Sequence, residues 1–137
     1  MPSYTYSLQY GDSEISTVDE RGNATAREIL AAFDAFDWPG QIAKANSTQK
    51  CSPTFTVDEV GTGRTFWVSG YGTPETFQFV SFYAYPVRKK AWFGLVERDG
   101  FAGPNARQDL SPSEAREAVR LFLDGRHDEL IRLVSAA

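Results

Sequence analysis

Tyr4, Tyr6, Leu8 and Tyr10 alternate with Thr5, Ser7 and Gln9 at the start of the chain, the period of a strand buried on one face. Gly11 and Asp12 supply turn chemistry, so Glu14–Val18 is expected to return as the second strand of a hairpin. The period then changes. Thr25-Ala26-Arg27-Glu28 has the form of a capping box, and Ile29, Leu30, Phe33 and Phe36 follow at helical spacing. Pro39 disfavours helical geometry at Trp38, which predicts a helix end near Asp37 and a polar connection over 41–50.

From Cys51 the alternation is again that of strands. Phe55 and Val57 face away from Thr54 and Thr56, Gly61-Thr62-Gly63 reads as a hairpin turn, and Phe66 and Val68 continue on a strand over 64–70. Thr76–Tyr85 is apolar on both faces, as expected of a central strand. Pro86 is expected to end it, Arg88-Lys89-Lys90 to turn, and Ala91–Val96 to form the next strand. Turns this short join antiparallel neighbours, so the middle of the chain is a meander. Residues 97–110, with Gly100, Gly103 and Pro104, read as a long polar loop in which Phe101 anchors to the core.

Ser111-Pro112-Ser113-Glu114 is a second capping box with proline at the first helical position. Ala115, Val119, Phe122 and Leu123 form its apolar stripe, Gly125 breaks the helix, and Asp128–Val134 predicts a short last one. The expected fold is therefore one α+β domain over 1–137: an antiparallel meander sheet of about five or six strands, with the N-terminal helix and the C-terminal helices packed on it.

Composition narrows the class. The chain has 137 residues, 42% of them hydrophobic and 23% charged, the usage of a globular domain that buries roughly two-thirds of its surface. Its single cysteine, Cys51, excludes an internal disulfide and fits a reducing compartment. The start lacks a basic segment followed by an apolar run, and no stretch nears the ~18 apolar residues of a membrane helix. A cytoplasmic protein without a membrane partner is expected. The net charge of −4 disfavours nucleic acid. Residues 10–37 hold seven acids against two bases, a distribution that would steer a basic partner or simply solubilise the surface.

Catalytic constellations are sparse. The only histidine, His127, stands between Arg126 and Asp128 with no nucleophile motif around it, and reads as a solvent-facing or helix-capping residue. Cys51 reads as a small buried hydrophobe. One Cys and one His cannot make a common zinc set, the acids lack calcium-loop order, and Gly61-Thr62-Gly63-Arg64 lies between strands, where no phosphate loop sits. No catalytic residue, metal or cofactor is therefore expected. Asp34 and Asp37 are notable because carboxylates near a helix C-terminus oppose the helix dipole.

The aromatic content, 10 Phe, 6 Tyr and 3 Trp, carries more information. Once the alternating core positions are filled, Trp67, Tyr71, Tyr85 and Trp92 are left over. On an open sheet face such residues make interface hot spots; under the C-terminal helices they would form a second core layer. Trp67, Tyr71, Tyr85, Trp92, Asp34 and Asp37 are thus the candidate partner-binding residues.

The order of elements resembles the immunity proteins that protect bacteria from secreted polymorphic toxins. The resemblance rests on the Tyr-rich first strand, Ala26–Trp38 leading into Pro39-Gly40-Gln41, Ser52-Pro53-Thr54 opening a meander, and the Leu110–Leu123 helix followed by Gly125. It implies a non-enzymatic inhibitor that occludes a cognate toxin. Two other classes fit the same composition: a secretion chaperone or adaptor holding an effector segment, and a small-ligand-binding domain with a pocket between sheet and helix.

Overall fold

Among the described residues one antiparallel sheet carries four helices. In chain order the elements are β1 (Tyr4–Gln9), β2 (Asp19–Ala24), α1 (Ala26–Ala35), α2 (Trp38–Thr48), β3 (Thr54–Glu59), β4 (Thr65–Gly72), β5 (Phe77–Ala91), β6 (Val96–Leu110), α3 (Pro112–Leu123) and α4 (His127–Ser135). The computed structural model describes residues 3–14, 18–91 and 96–135, and their side chains except over 87–91 and 96–105. The strand order is β2-β1-β3-β4-β5-β6. Only β1 is out of sequence, inserted between β2 and β3, so the α1–α2 connection crosses over it. The α+β fold with a six-stranded antiparallel sheet is the one the hydrophobic pattern predicts.

Local hydrogen bonding explains the helix starts. Thr25 and Glu28 close a capping box on α1, and Ser111 and Glu114 close another on α3 with Pro112 in its first turn. The bond from the Thr25 backbone N–H holds the Glu28 carboxyl below the usual range, and the one from Ser111 N–H does the same for Glu114.

Several sequence expectations are corrected. The helix does not run to Asp37: it ends at Ala35, and Asp37 caps a second helix, its Oδ1 accepting from Gly40 N–H at 3.2 Å. Pro39 belongs to the first turn of α2, where a missing N–H costs nothing. The expected loop over 41–50 is largely this helix, with Trp38 and Ile42 buried one turn apart. The second strand begins at Asp19, not at Glu14, and residues 15–17 lie outside the described residues.

Pro86 does not end β5, which continues to Ala91; β4 has already stopped at Thr65 opposite Ala84, so Pro86 has no β4 residue to pair with. Residues 97–110 are strand, not loop. Their pairing with β5 shifts between Tyr83 and Tyr85, where Gly103 and Pro104 fall in a bulge between Ala102 and Asn105. Phe101 pairs with Pro86 through this ladder. The strand expected over 91–96 falls largely on 92–95, outside the described residues; Ala91, the last residue of β5, pairs with Val96, the first of β6.

The core lies on one face of the sheet. Phe55 and Val57 of β3, Phe66 and Val68 of β4, and Phe79 and Tyr83 of β5 meet Ile29 and Phe33 of α1, Val119 and Phe122 of α3, and Leu130 and Val134 of α4. Close approach is built in twice. A Cβ on Gly70 would stand 3.1 Å from the Trp38 ring, and one on Gly11 would stand 2.0 Å from the Gln41 carbonyl oxygen. Gly11 lets the β1–β2 turn lie directly on α2, where Gln41 Oε1 accepts from Gly11 N–H at 2.9 Å.

Candidate protein-binding face

The strand registers fix which residues share the second face. Ser7, Thr56, Trp67, Phe82 and Ala106 form one transverse row across β1, β3, β4, β5 and β6. Gln9, Thr54, Ser69 and Val80 form the next, Thr5, Asp58, Thr65 and Ala84 a third, and Tyr71 pairs with Gln78. These alternate with the core positions, so they point away from the helices.

The helices all pack on the core side. Phe33 of α1 meets Phe55 edge-on at 5.4 Å, Trp38 of α2 meets Phe79 at 4.8 Å, and Phe122 of α3 meets Phe66 at 6.0 Å. His127 of α4 stacks on Tyr83 at 5.9 Å. No helix among the described residues covers the outer face.

Trp67 and Phe82 stack there, ring centroids 5.4 Å apart and planes within 10°. Both are half-buried, as are Val80, Thr54, Thr56 and Ser69, and the Thr54 and Ser69 hydroxyls are hydrogen-bonded. Tyr71 is exposed at the end of the same strand, its hydroxyl held by the Gln108 carbonyl. Asp58 is the one charged side chain among the outward positions of β1, β3, β4 and the Gln78–Ala84 part of β5. Across β1, β3, β4 and the Gln78–Ala84 part of β5 the face is aromatic at its centre and sparsely charged, and Glu20 of β2 extends the Ser7 row at the edge.

The six candidate residues do not converge. Trp67 and Tyr71 share the outer face. Tyr85 sits against Tyr83 on the core side, with the Arg64 guanidinium 5.4 Å from its ring centre. Asp34 and Asp37 belong to the helical layer. Asp34 takes a two-point ion pair from Arg116 at 2.8 and 3.0 Å, which holds its carboxyl below the usual range. Trp92 lies outside the described residues. Nor is the acidic segment bare: Asp19 accepts from Tyr10 and pairs with Arg21, while Glu14 pairs with Lys50.

One cluster was not visible in the sequence. His127 is not solvent-facing; it is half-buried, with Nδ1 3.0 Å from the Tyr83 hydroxyl, and Arg64 Nη1 donates to that hydroxyl at 2.6 Å. Glu59, buried beside it, holds a carboxylate oxygen 4.0 Å from Arg64 Nε. Burial, then the Arg64 charge, lowers the His127 pKa, while burial raises that of Tyr83 against the pull of Arg64. His127, Arg64, Arg126 and Arg132, together with the acids Asp128 and Glu129, rim a cavity of about 490 Å³ at the start of α4. Residues 64, 83 and 127 meet only through tertiary packing, so no spacing announces them. Cys51 is half-buried and burial raises its thiol pKa, the opposite of activation.

Among the described residues no group of three His, Cys, Asp or Glu side chains is placed to hold a metal ion, and no helix is long and apolar enough to cross a membrane. Fold and face together define the class: an α+β protein whose single sheet is helix-covered on one side and aromatic on the other. Comparison with protein-family models, curated proteins and solved structures found no match.

Proposed function

We propose that this chain is a non-enzymatic protein-binding module that docks its partner on the outer face of the sheet around Trp67 and Phe82. The observation that carries this is the stacked pair itself. Two large rings lie on a sheet face that no described helix protects, and core packing on the other side does not require them. Neighbouring Thr54, Thr56, Ser69 and Gln78 supply hydroxyls and an amide without charges to desolvate, a combination suited to the centre of an interface.

The kind of partner follows from the resemblance to immunity proteins: a bacterial toxin domain, held by occlusion of its working surface. The test is co-purification with a candidate toxin domain encoded beside this chain, with affinity measured by calorimetry. A 1:1 complex that silences the toxin is expected, weakened about 30-fold by Trp67→Ala with the melting transition retained. Unchanged affinity in that variant would remove the outer face from the interface. A second reading, a small-ligand domain, has one observation in its favour, the cavity rimmed by Arg64 and His127. Turnover or binding of a small anion, abolished by Arg64→Gln, would replace the first reading with this one.

A further inference from the structure

We infer that the outer face is self-complementary and that, before any partner arrives, a second copy of this chain docks on it. This deepens the proposed function and rests on its assignment of the outer face as the binding surface. The argument is one of shape and charge. Large side chains gather on one half of the face, where Trp67 and Tyr71 of β4 stand beside Phe82 and Val80 of β5. On the other half the central row is small, Ser7 of β1 paired with Thr56 of β3, with Thr54 two residues along and Gln9 and Asp58 flanking this strip. Ridge and strip are thus side by side, in the same transverse rows.

A two-fold axis parallel to the strands, between β3 and β4, turns one copy over and exchanges left for right. Each copy's Trp67–Phe82 ridge then lies on the other's Ser7–Thr56 strip. The contact is isologous, as most homodimer contacts are, and the sheets stack face to face at the usual ~10 Å. Charge points the same way. The chain carries −4 overall, so two copies repel through most of their surface. On the outer face Asp58 is the one charge among the positions of β1, β3, β4 and the Gln78–Ala84 part of β5, and Glu20 of β2 lies at the edge opposite Ser7, so the centre of this face is where they meet at the least electrostatic cost.

Size sets the strength. Five strands at ~4.8 Å spacing and three rows at ~6.7 Å give a footprint of roughly 24 by 20 Å, smaller than the ~800 Å² per partner of stable complexes. The dimer is therefore weak and concentration-dependent, and a toxin bound at the same rings would displace the second copy.

Sedimentation velocity from about 1 to about 500 µM tests this, at roughly 50 and 500 mM salt. A monomer that becomes a dimer with concentration is expected, more readily at high salt because the uncharged contact is retained while net repulsion is screened. Thr56→Asp, which sets a carboxylate beneath the other copy's Trp67, should weaken association about 30-fold or more with an unchanged circular dichroism spectrum. Trp67→Asp should do the same, and covers the case in which one variant fails to fold. A wild-type protein that is monomeric throughout, or variants that dimerise like the wild type, would overturn the inference. A monomer that still binds a toxin through Trp67 would overturn the self-association alone. A dimer lost in Thr56→Asp, beside toxin binding indifferent to Trp67→Ala, would overturn the proposed function alone.

Discussion

The covered and open faces of the sheet alternate along the same strands, yet the large side chains on them do different work. On the covered face Phe122 is fully buried and touches Tyr4, Phe66 and Tyr83 at centroid distances of 5.9–6.0 Å. On the open face Trp67 touches Phe82 and keeps part of its surface in water. A ring locked among three others stabilises the fold; a ring stacked on one neighbour is left with area to bury elsewhere. The sharpest test is the pair Phe122→Ala and Trp67→Ala in denaturant unfolding. The first should cost about 3–5 kcal/mol through lost transfer energy and a cavity, the second about 1 kcal/mol through the lost stack. Equal costs would erase the distinction between the faces.

Gly11→Ala comes next in size. Its new Cβ would stand 2.0 Å from the Gln41 carbonyl oxygen and 2.7 Å from Ala45 N, both backbone atoms of α2 that cannot rotate away. The turn must lift off the helix or the helix must shift, at about 1–3 kcal/mol. The effect should be on stability alone, because Gly11 is remote from Trp67 in the strand order, and partner affinity measured on the folded fraction should be unchanged.

How much of this was legible depends on the range over which each interaction acts. Capping boxes at Thr25 and Ser111 are local hydrogen bonds between residues three apart, so their residue types announce them. The alternation of β1, β3 and β4 is legible for the same reason, since it needs only a period. Asp37-Trp38-Pro39 was misread because proline ends a helix or begins one, and only the cap, an Asp two residues before, decides which. The β6 ladder was illegible: Glu97, Arg98 and Asp99 have no strand pattern, and their conformation comes from pairing with Lys90, Lys89 and Arg88. Alternation placed Trp67 opposite the Phe66 series, but which face the helices would cover is a tertiary choice. The Arg64–Tyr83–His127 contact is tertiary altogether.

The cap offers a smaller test of the covered side. Asp37→Ala removes the acceptor for Gly40 N–H and should destabilise by about 1 kcal/mol, whereas Asp37→Ser should restore most of it. Were Asp37 instead a carboxylate opposing the end of α1, its removal would stabilise the protein, so the sign of the change separates the two accounts.

The smallest effect concerns the margin of the covered face, where α4 is held by His127. Facing its imidazole are Tyr83 and Tyr85 of β5, Arg64 ahead of β4, Glu59 of β3, Phe122 of α3, and Arg126, Asp128, Glu129 and Arg132 around the start of α4. Burial and the Arg64 charge disfavour the protonated ring, and together they outweigh the pull of Glu59 and Asp128, so the folded pKa lies below the ordinary 6.5. Between those two values the unfolded chain holds the extra proton. Stability must therefore fall as pH is lowered through that window, and level off below the folded pKa. Tyr83 ties the effect to structure: its hydroxyl lies 3.0 Å from Nδ1, so protonation of the ring leaves Nδ1 a donor in that contact. Denaturant unfolding of wild type and His127→Gln should differ in slope between about pH 7 and pH 5. That range lies above the carboxyls of Glu28, Asp34 and Glu114, all held below their usual values and silent there. A wild-type curve as flat as the variant's would mean that the imidazole is as free to take a proton folded as unfolded, and that α4 is not held by this contact.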